Sequence, residues 1–319
     1  MAAVRRSINV TVRCAAKVNL FLDIRGKRPD GYHDIVSVMC PIDLRDTLIA
    51  TPLPPEEGFK IIINNANIPS GEENTVWKAS EALARAANVP MCALIRLYKQ
   101  IPVAAGLGGG SSDAAGALIA LNKLWNLGYK QSELVEIAKS IGADVPFFLH
   151  GGWALVEGYG DVIVPLNIKV QLWMLLVKPP IEVPTSWAYK VWDSKGKPEN
   201  RDPTPLIEAL QRGDLSAIGE HIYNAFEKVV SETHTEISYL KKLLMRTEPL
   251  GVVMSGSGPT IAALFASKKD VEDAKQKFSE ELRRCYEGSS LLPSGAEVGD
   301  SVWMAVASVT QRSLITRMT

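Results

Sequence analysis

Pro102-Val103-Ala104-Ala105-Gly106-Leu107-Gly108-Gly109-Gly110-Ser111-Ser112-Asp113-Ala114-Ala115-Gly116 carries an apolar, strand-like approach into a helical continuation through four closely spaced glycines and two hydroxyls. Glycine lets the backbone adopt positive φ and approach a ligand closely, and the free N–H groups at a helix start attract an anion. Such a stretch has the composition of a phosphate cradle, and it points to nucleotide binding. A glycine turn that holds no ligand is the other reading of a short glycine pattern taken alone. Ser111 or Ser112 can cap the following helix. Ala114, Ala115, Gly116 and Ala117 permit close packing, and Leu118, Leu121, Leu124 and Trp125 recur near helical spacing on one face.

The loop departs from the commonest phosphate binders. No Gly-Lys followed by Ser or Thr succeeds these glycines, and the dinucleotide fingerprint requires a glycine where Ser111 or Asp113 stands. The His-Arg-Asp and Asp-Phe-Gly triplets of protein kinases do not occur either.

Composition bounds what remains. A chain of 319 residues, 46% hydrophobic and 22% charged, has the length for two domains with real cores and the balance of a soluble globular protein. A formal net charge of zero provides no global field for nucleic acid or an anionic membrane, so an anion site must be local. Cys14, Cys40, Cys92 and Cys285 are scattered, and the four histidines show no metal-ligand spacing with them, as idle thiols of a reducing compartment would be. No apolar run approaches the roughly 20 residues that a membrane helix needs. The chain reads as cytoplasmic; a plastid-type stromal enzyme stripped of its transit peptide would look the same.

Along the chain, residues 8–12 and 17–24 read as strands before the turn at Pro29-Asp30-Gly31, followed by strands over 34–44, 47–50 and 59–64. Residues 74–88 form an alanine-rich helix, 93–99 a strand entering the glycine loop, and 132–141 a helix stopped by Gly142. Residues 153–157 and 161–165 form a hairpin around Gly158-Tyr159-Gly160, and 172–177 is a buried strand stopped by Pro179-Pro180, near the domain boundary. Residues 194–205 read as an exposed loop, then 206–212, 215–230 and 236–245 as helices. Strands over 252–254 and 261–265 flank a second glycine turn, Ser255-Gly256-Ser257-Gly258-Pro259-Thr260. Residues 270–286 make a charged amphipathic helix, 288–300 a low-signal segment expected to be mobile, and 302–309 a last strand. Short strands among helices argue for α+β with mostly antiparallel sheets in two domains, whose cleft would bring both glycine loops to one ligand.

A kinase for a small alcohol needs a phosphate cradle, a base for the acceptor hydroxyl, a cation for developing charge, and an acceptor pocket. Asp144 stands between Gly142 and the apolar run Val145-Pro146-Phe147-Phe148, where a carboxylate can serve as a base or merely as a turn or capping residue. Lys17 breaks an apolar strand, Ala15-Ala16-Lys17-Val18-Asn19-Leu20. It either faces outward or, because burying an ammonium costs several kcal/mol, has an anionic partner such as Asp144. Gly31-Tyr32-His33 offers a stacking face and a donor–acceptor ring for a planar ligand, or a packed turn aromatic.

Taken in order, five stretches resemble the GHMP small-molecule kinase superfamily: Ala16-Lys17-Val18-Asn19-Leu20, Arg28-Pro29-Asp30-Gly31-Tyr32-His33, residues 102–115, Gly142-Ala143-Asp144-Val145-Pro146 and Ser255-Gly256-Ser257-Gly258. The resemblance spans residues 12–265, most of the chain. It implies a two-domain α+β GHMP kinase fold, with a ribosomal S5-like ATP-binding domain over residues 1–168, a ferredoxin-like substrate-binding domain over 169–319, and the active site between them. It implies ATP-dependent phosphorylation of the 2-hydroxyl of a cytidylyl-bearing polyol in isoprenoid precursor synthesis. Asp144 would be the general base and Lys17 its cationic partner. Pro102, Gly106, Gly108, Gly109, Gly110, Ser111 and Ser112 would hold the ATP phosphates, with Asn74 and Lys99 near the nucleoside. Tyr32 and His33 would bind the cytosine, Asn19 and Thr185 would position the substrate, and Tyr189 would stack on the cytidine. Magnesium is expected as Mg-ATP, with no acidic cage and no assigned protein metal ligand. The expected partner is a small-molecule substrate, with neither nucleic acid nor membrane, for a monomer or homodimer.

Two features depart from the pattern. The tail from Gly288 matches little, and Asp113 stands where relatives often have Asn or Asp, which suits a structural role at the helix start. A superfamily kinase for another alcohol, such as mevalonate or homoserine, would share the ATP loop without calling for the Gly-Tyr-His motif or Tyr189. A non-catalytic nucleotide sensor would have lost Lys17 or Asp144.

Overall fold

Two long strands open the computed structural model, which describes residues 8–287 and 302–318. They are β1 (Val10–Lys27) and β2 (His33–Thr51), paired antiparallel from Val10↔Ala50 to Lys27↔His33. Four shorter strands were expected here. Register shifts at Ala15/Ala16, Asn19/Phe21 and Ile24/Gly26 absorb the interruptions in the apolar pattern, and the strands run on through them.

The chain continues as β3 (Phe59–Ile63), α1 (Thr75–Ala87), β4 (Ala93–Tyr98), α2 (Gly109–Leu124), α3 (Gln131–Lys139), α4 (Val145–His150), β5 (Ala154–Glu157) and β6 (Val162–Pro165). It then forms β7 (Trp173–Lys178), α5 (Thr185–Lys195), α6 (Thr204–Arg212), α7 (Leu215–His221), β8 (Tyr223–Asn224), α8 (Ala225–Thr233) and α9 (Thr235–Met245). It ends in β9 (Gly251–Met254), β10 (Ile261–Phe265), α10 (Lys268–Glu287), β11 (Trp303–Ser308) and β12 (Leu314–Met318). No helix among the described residues is long and apolar enough to cross a membrane.

The first sheet has the order β12-β1-β2-β4-β3, with the β5–β6 hairpin added on β2 and β8 lying parallel to β1. The second sheet, β11-β7-β10-β9, is antiparallel throughout. Helices α1 to α4 cover the first sheet around Leu83, Leu118, Phe147 and Phe148. Fully burying each such side chain contributes about 1.5–3 kcal/mol. A second core, including Leu20, Trp153, Leu176 and Leu264, joins the two sheets. β8 and β12 therefore cross the boundary expected after residue 168, since both return to the first sheet.

Several elements differ from the sequence reading. The helix expected over 215–230 is two helices, because Ile222 is extended and the Asn224 side chain caps a fresh start by accepting from the Phe226 amide. α5 fills part of a stretch not read as helical, and β11 is followed by a further strand, β12. The low-signal segment 288–300 lies outside the described residues.

Candidate active site

Between the sheets lies a cleft of about 410 Å³, walled on one side by the glycine loop and on the other by Thr185, Tyr189 and Ser257. α2 points its N-terminus into it. The helix can lie close on β1 because Gly116 has no side chain: a Cβ there would meet Cys14 Sγ at 2.4 Å.

Neither Ser111 nor Ser112 caps α2. Gly108 does, in the left-handed region at φ 69°. The Ser112 amide makes the first helical bond, to Gly108 O at 2.9 Å, so the amides of Gly109, Gly110 and Ser111 have no partner within the helix, and all three residues line the cleft. Ser112 itself is turned inside, its hydroxyl without a partner. Gly106 has φ 73°, and a Cβ on it would stand 2.1 Å from the Ser255 carbonyl. A Cβ on Gly108 would approach Phe148 to 2.9 Å. Only glycine satisfies both positions, and the resulting row of unspent amides on a helix start suits a nucleotide polyphosphate. Among the described residues no group of three or more His, Cys, Asp or Glu stands together in a way that could hold a metal ion.

Lys17 faces inward, only 4% exposed, which removes the outward-facing reading. Its Nζ donates to Asn19 Oδ1 at 2.5 Å and lies 3.8 Å from Asp144 Oδ2. Burial pulls the Lys17 ammonium below its usual pKa, and the Asp144 charge opposes that fall. Asp144 precedes α4 yet makes no side-chain capping bond. Its carboxylate faces the cleft beside Lys17, 38% exposed.

Two backbone connections hold these groups to the loop. The Lys17 amide donates to Leu107 O at 2.9 Å, and Ser255 Oγ accepts from the Asn19 amide at 3.3 Å while donating to Gly106 O at 3.0 Å. The second glycine turn is thus a latch on the first. Asn224 steadies it from below, donating to Met254 O and Gly256 O. Asn19 also donates to Ser37 Oγ at 2.8 Å.

Asn74 and Pro102 line the cleft, but the Asn74 side chain is occupied in capping α1, accepting from the Val76 amide and donating to Pro69 O. Lys99 also borders the cleft, its ammonium held by Asp46 and by Asp113 at 2.6 Å. Asp113 therefore takes a structural role at the helix start, its carboxyl pushed upward by burial against the pull of Lys99. Asp46 was not anticipated. Its second oxygen accepts from the Gln100 and Ile101 amides and anchors the approach to the loop. Its one sequence signal is the cluster of charge formed by Asp43, Arg45 and Asp46 within β2.

On the acceptor side, Thr185 Oγ1 meets Ser257 Oγ at 3.1 Å, and Tyr189 is half-buried. Burial, with the Asp144 charge adding to it, pushes the Tyr189 hydroxyl far above its usual range. Tyr32 and His33 do not line the cleft. Tyr32 is 60% exposed against Tyr159 at 5.2 Å, whereas His33 stacks on Tyr189 at 4.4 Å.

Residues 74–152 match the GHMP kinases N terminal domain, and residues 206–284 match GHMP kinases C terminal. The chain is 43% identical over 267 residues to a 4-diphosphocytidyl-2-C-methyl-D-erythritol kinase of Pelotomaculum thermopropionicum, covering 84% of this chain and 92% of the relative. A 4-diphosphocytidyl-2-C-methyl-D-erythritol kinase of Alkaliphilus oremlandii is 39% identical over 295 residues, 91% of this chain and 99% of that one. A crystal structure of 4-(cytidine 5'-diphospho)-2C-methyl-D-erythritol kinase superposes with a TM-score of 0.71 at 29% identity, covering 93% of this chain and 98% of that one. Homoserine kinase from Cytophaga hutchinsonii superposes at 0.72 with 20% identity, covering 97% of each chain, a likeness of fold alone.

Proposed function

The chain belongs to the GHMP kinase family, and from that premise we propose that it transfers the γ-phosphoryl group of ATP to the 2-hydroxyl of 4-diphosphocytidyl-2-C-methyl-D-erythritol, in the non-mevalonate route to isoprenoid precursors. The observation that carries this reading is the meeting of Lys17 and Asp144 across 3.8 Å in the cleft, between the unspent amides of α2 and the wall formed by Thr185 and Tyr189. Relatives at 38–43% identity that bear that kinase's name support the substrate.

In this mechanism Asp144 accepts the proton of the 2-hydroxyl, a role that its uncapped, cleft-facing carboxylate suits. Lys17 sits beside it and offsets negative charge as the oxygen becomes a nucleophile. The amides of Gly109, Gly110 and Ser111 hold phosphate oxygens, and Gly106 and Gly108 keep the backbone close enough to do so. Asn74 and Lys99 border the nucleoside side, Lys99 acting from its ion pairs with Asp46 and Asp113. Asn19 orients the Lys17 ammonium, Thr185 meets the acceptor, and Tyr32, His33 and Tyr189 form its aromatic surroundings. Magnesium, bound with ATP, would supply charge neutralisation at the phosphates, and no residue is assigned to it. Residues 1–168 and 169–319 serve as the two domains, with β8 and β12 crossing back.

A coupled ADP-release assay with Mg-ATP tests this reading, comparing the cytidylyl substrate with mevalonate, homoserine and no acceptor. Turnover confined to the cytidylyl substrate is expected. Turnover with another of these alcohols alone would overturn the substrate, and silence with all would overturn the kinase mechanism.

A further inference from the structure

His33 is only 8% exposed, and its ring is fixed from three directions. It lies on Tyr189 with 20° between the planes, stands edge-on to Trp192 at 5.8 Å, and its Nε2 is 2.6 Å from Asp193 Oδ1. The other oxygen of the same carboxylate accepts from Lys27 Nζ, also at 2.6 Å. Lys27 ends β1, His33 begins β2, and the two face each other in register across the turn that carries Tyr32. Asp193 belongs to α5, four residues beyond Tyr189 and so on the same side of that helix. One carboxylate therefore closes the β1–β2 turn onto the helix that supplies Thr185 and Tyr189 to the cleft.

The contacts are well chosen for holding a ring in place. Stacking alone leaves a ring free to slide, whereas a charge-assisted bond of this length fixes both its rotation and its tautomer. Burial pushes the Asp193 carboxyl up, but the bonds from Lys27 and His33 outweigh it, and the group is held below the usual carboxylate range.

We propose that Asp193 is a positioning residue for the acceptor: by binding His33 and Lys27 together it fixes the His33–Tyr189 pair as one aromatic wall and sets its distance from the reacting hydroxyl. Asp193 does not line the cleft, so it acts through His33 and Tyr189, and its effect falls on acceptor affinity. The proposal rests on the cytidylyl reading for the identity of the acceptor.

Steady-state kinetics of Asp193→Asn and Asp193→Glu in the full chain test it. Asp193→Asn is expected to raise the acceptor KM at least tenfold, with the ATP KM within twofold and kcat within threefold of the unaltered protein. Asp193→Glu, which keeps the charge, should recover part of the loss. An acceptor KM within twofold of the original in Asp193→Asn would overturn the proposal, as would a parallel rise in both KM values, the mark of general loosening. Should the unaltered chain turn over only an alcohol without a base, the substrate reading falls by itself, and the same comparison of KM values on that alcohol decides the role of Asp193.

Discussion

Lys17 occupies a position whose neighbours Ala15, Ala16, Val18 and Leu20 are fully buried, so its charge is held against the preference of its surroundings. Such a group costs stability. Its folded-state pKa is lowered, so burying the charged form opposes folding at every pH below that value, and the opposition fades as the pH rises toward the unfolded lysine value of about 10.4. Lys17→Met is therefore expected to be more stable than the unaltered protein at pH 7, on the order of 1 kcal/mol, and to lose that advantage near pH 10 while turning over far more slowly. Urea melts at the two pH values check the sign. Equal stability at pH 7 would mean that the attraction of Asp144 and the Asn19 bond fully offset the burial. Asp144→Asn separates binding from chemistry: calorimetry should find ATP affinity nearly intact, and the ADP-release rate should fall by at least about a hundredfold. A rate unchanged by that substitution would remove Asp144 from the base role.

The loop before α2 is the element on which most of the site depends, and it was legible because its requirements are local. Positive φ at Gly106 and Gly108, with the close backbone approach there, favours glycine, and residues 106–110 show four. Gly106→Ala should cost at least about 2 kcal/mol, from a strained φ and a Cβ driven into the Ser255 carbonyl, and should weaken ATP binding at least tenfold in a calorimetric titration. Near-normal affinity would show that the loop relaxes around the methyl group. What the sequence hid was what depends on partners far along the chain. The serines beside the glycines are good capping types, but Gly108 takes the cap because the loop enters the helix through a left-handed residue. Residues 215–230 keep a helical apolar pattern, yet the pairing of Tyr223–Asn224 with Phe21 and Leu22 breaks it. Asp193 carries no local mark and Asp46 only the charges beside it; each gains its role from a partner, 160 and 53 residues away.

Across the whole molecule, the two-layer α+β architecture and the order of the motifs were readable, but the return of the chain was not. Leu314–Met318 is short and interrupted by the polar pair Thr316-Arg317, and it becomes a strand only because the open edge of β1 is there to receive it. Ser313 O accepts from the Ala15 amide and from Arg45, which ties that return to the strand leading into Lys17. A fragment of residues 1–168 would expose this edge and lose both β8 and β12. It is expected to aggregate or remain without a cooperative melt by circular dichroism, and a sharp, reversible transition would show that the first sheet suffices by itself.

The latch between Ser255 and Gly106 bears on how such enzymes could be recombined. Because the hydroxyl that steadies the glycine loop, the proposed phosphate cradle, is donated by the other half of the chain, an exchange of carboxy-terminal halves between relatives, made to graft a new alcohol preference, would also import one of the contacts that hold that loop. Chimeras that carry Ser255 and residues 102–110 from the same parent should keep their grip on ATP, and mixed parentage at those two places should surface as altered nucleotide use before any change in the alcohol is seen.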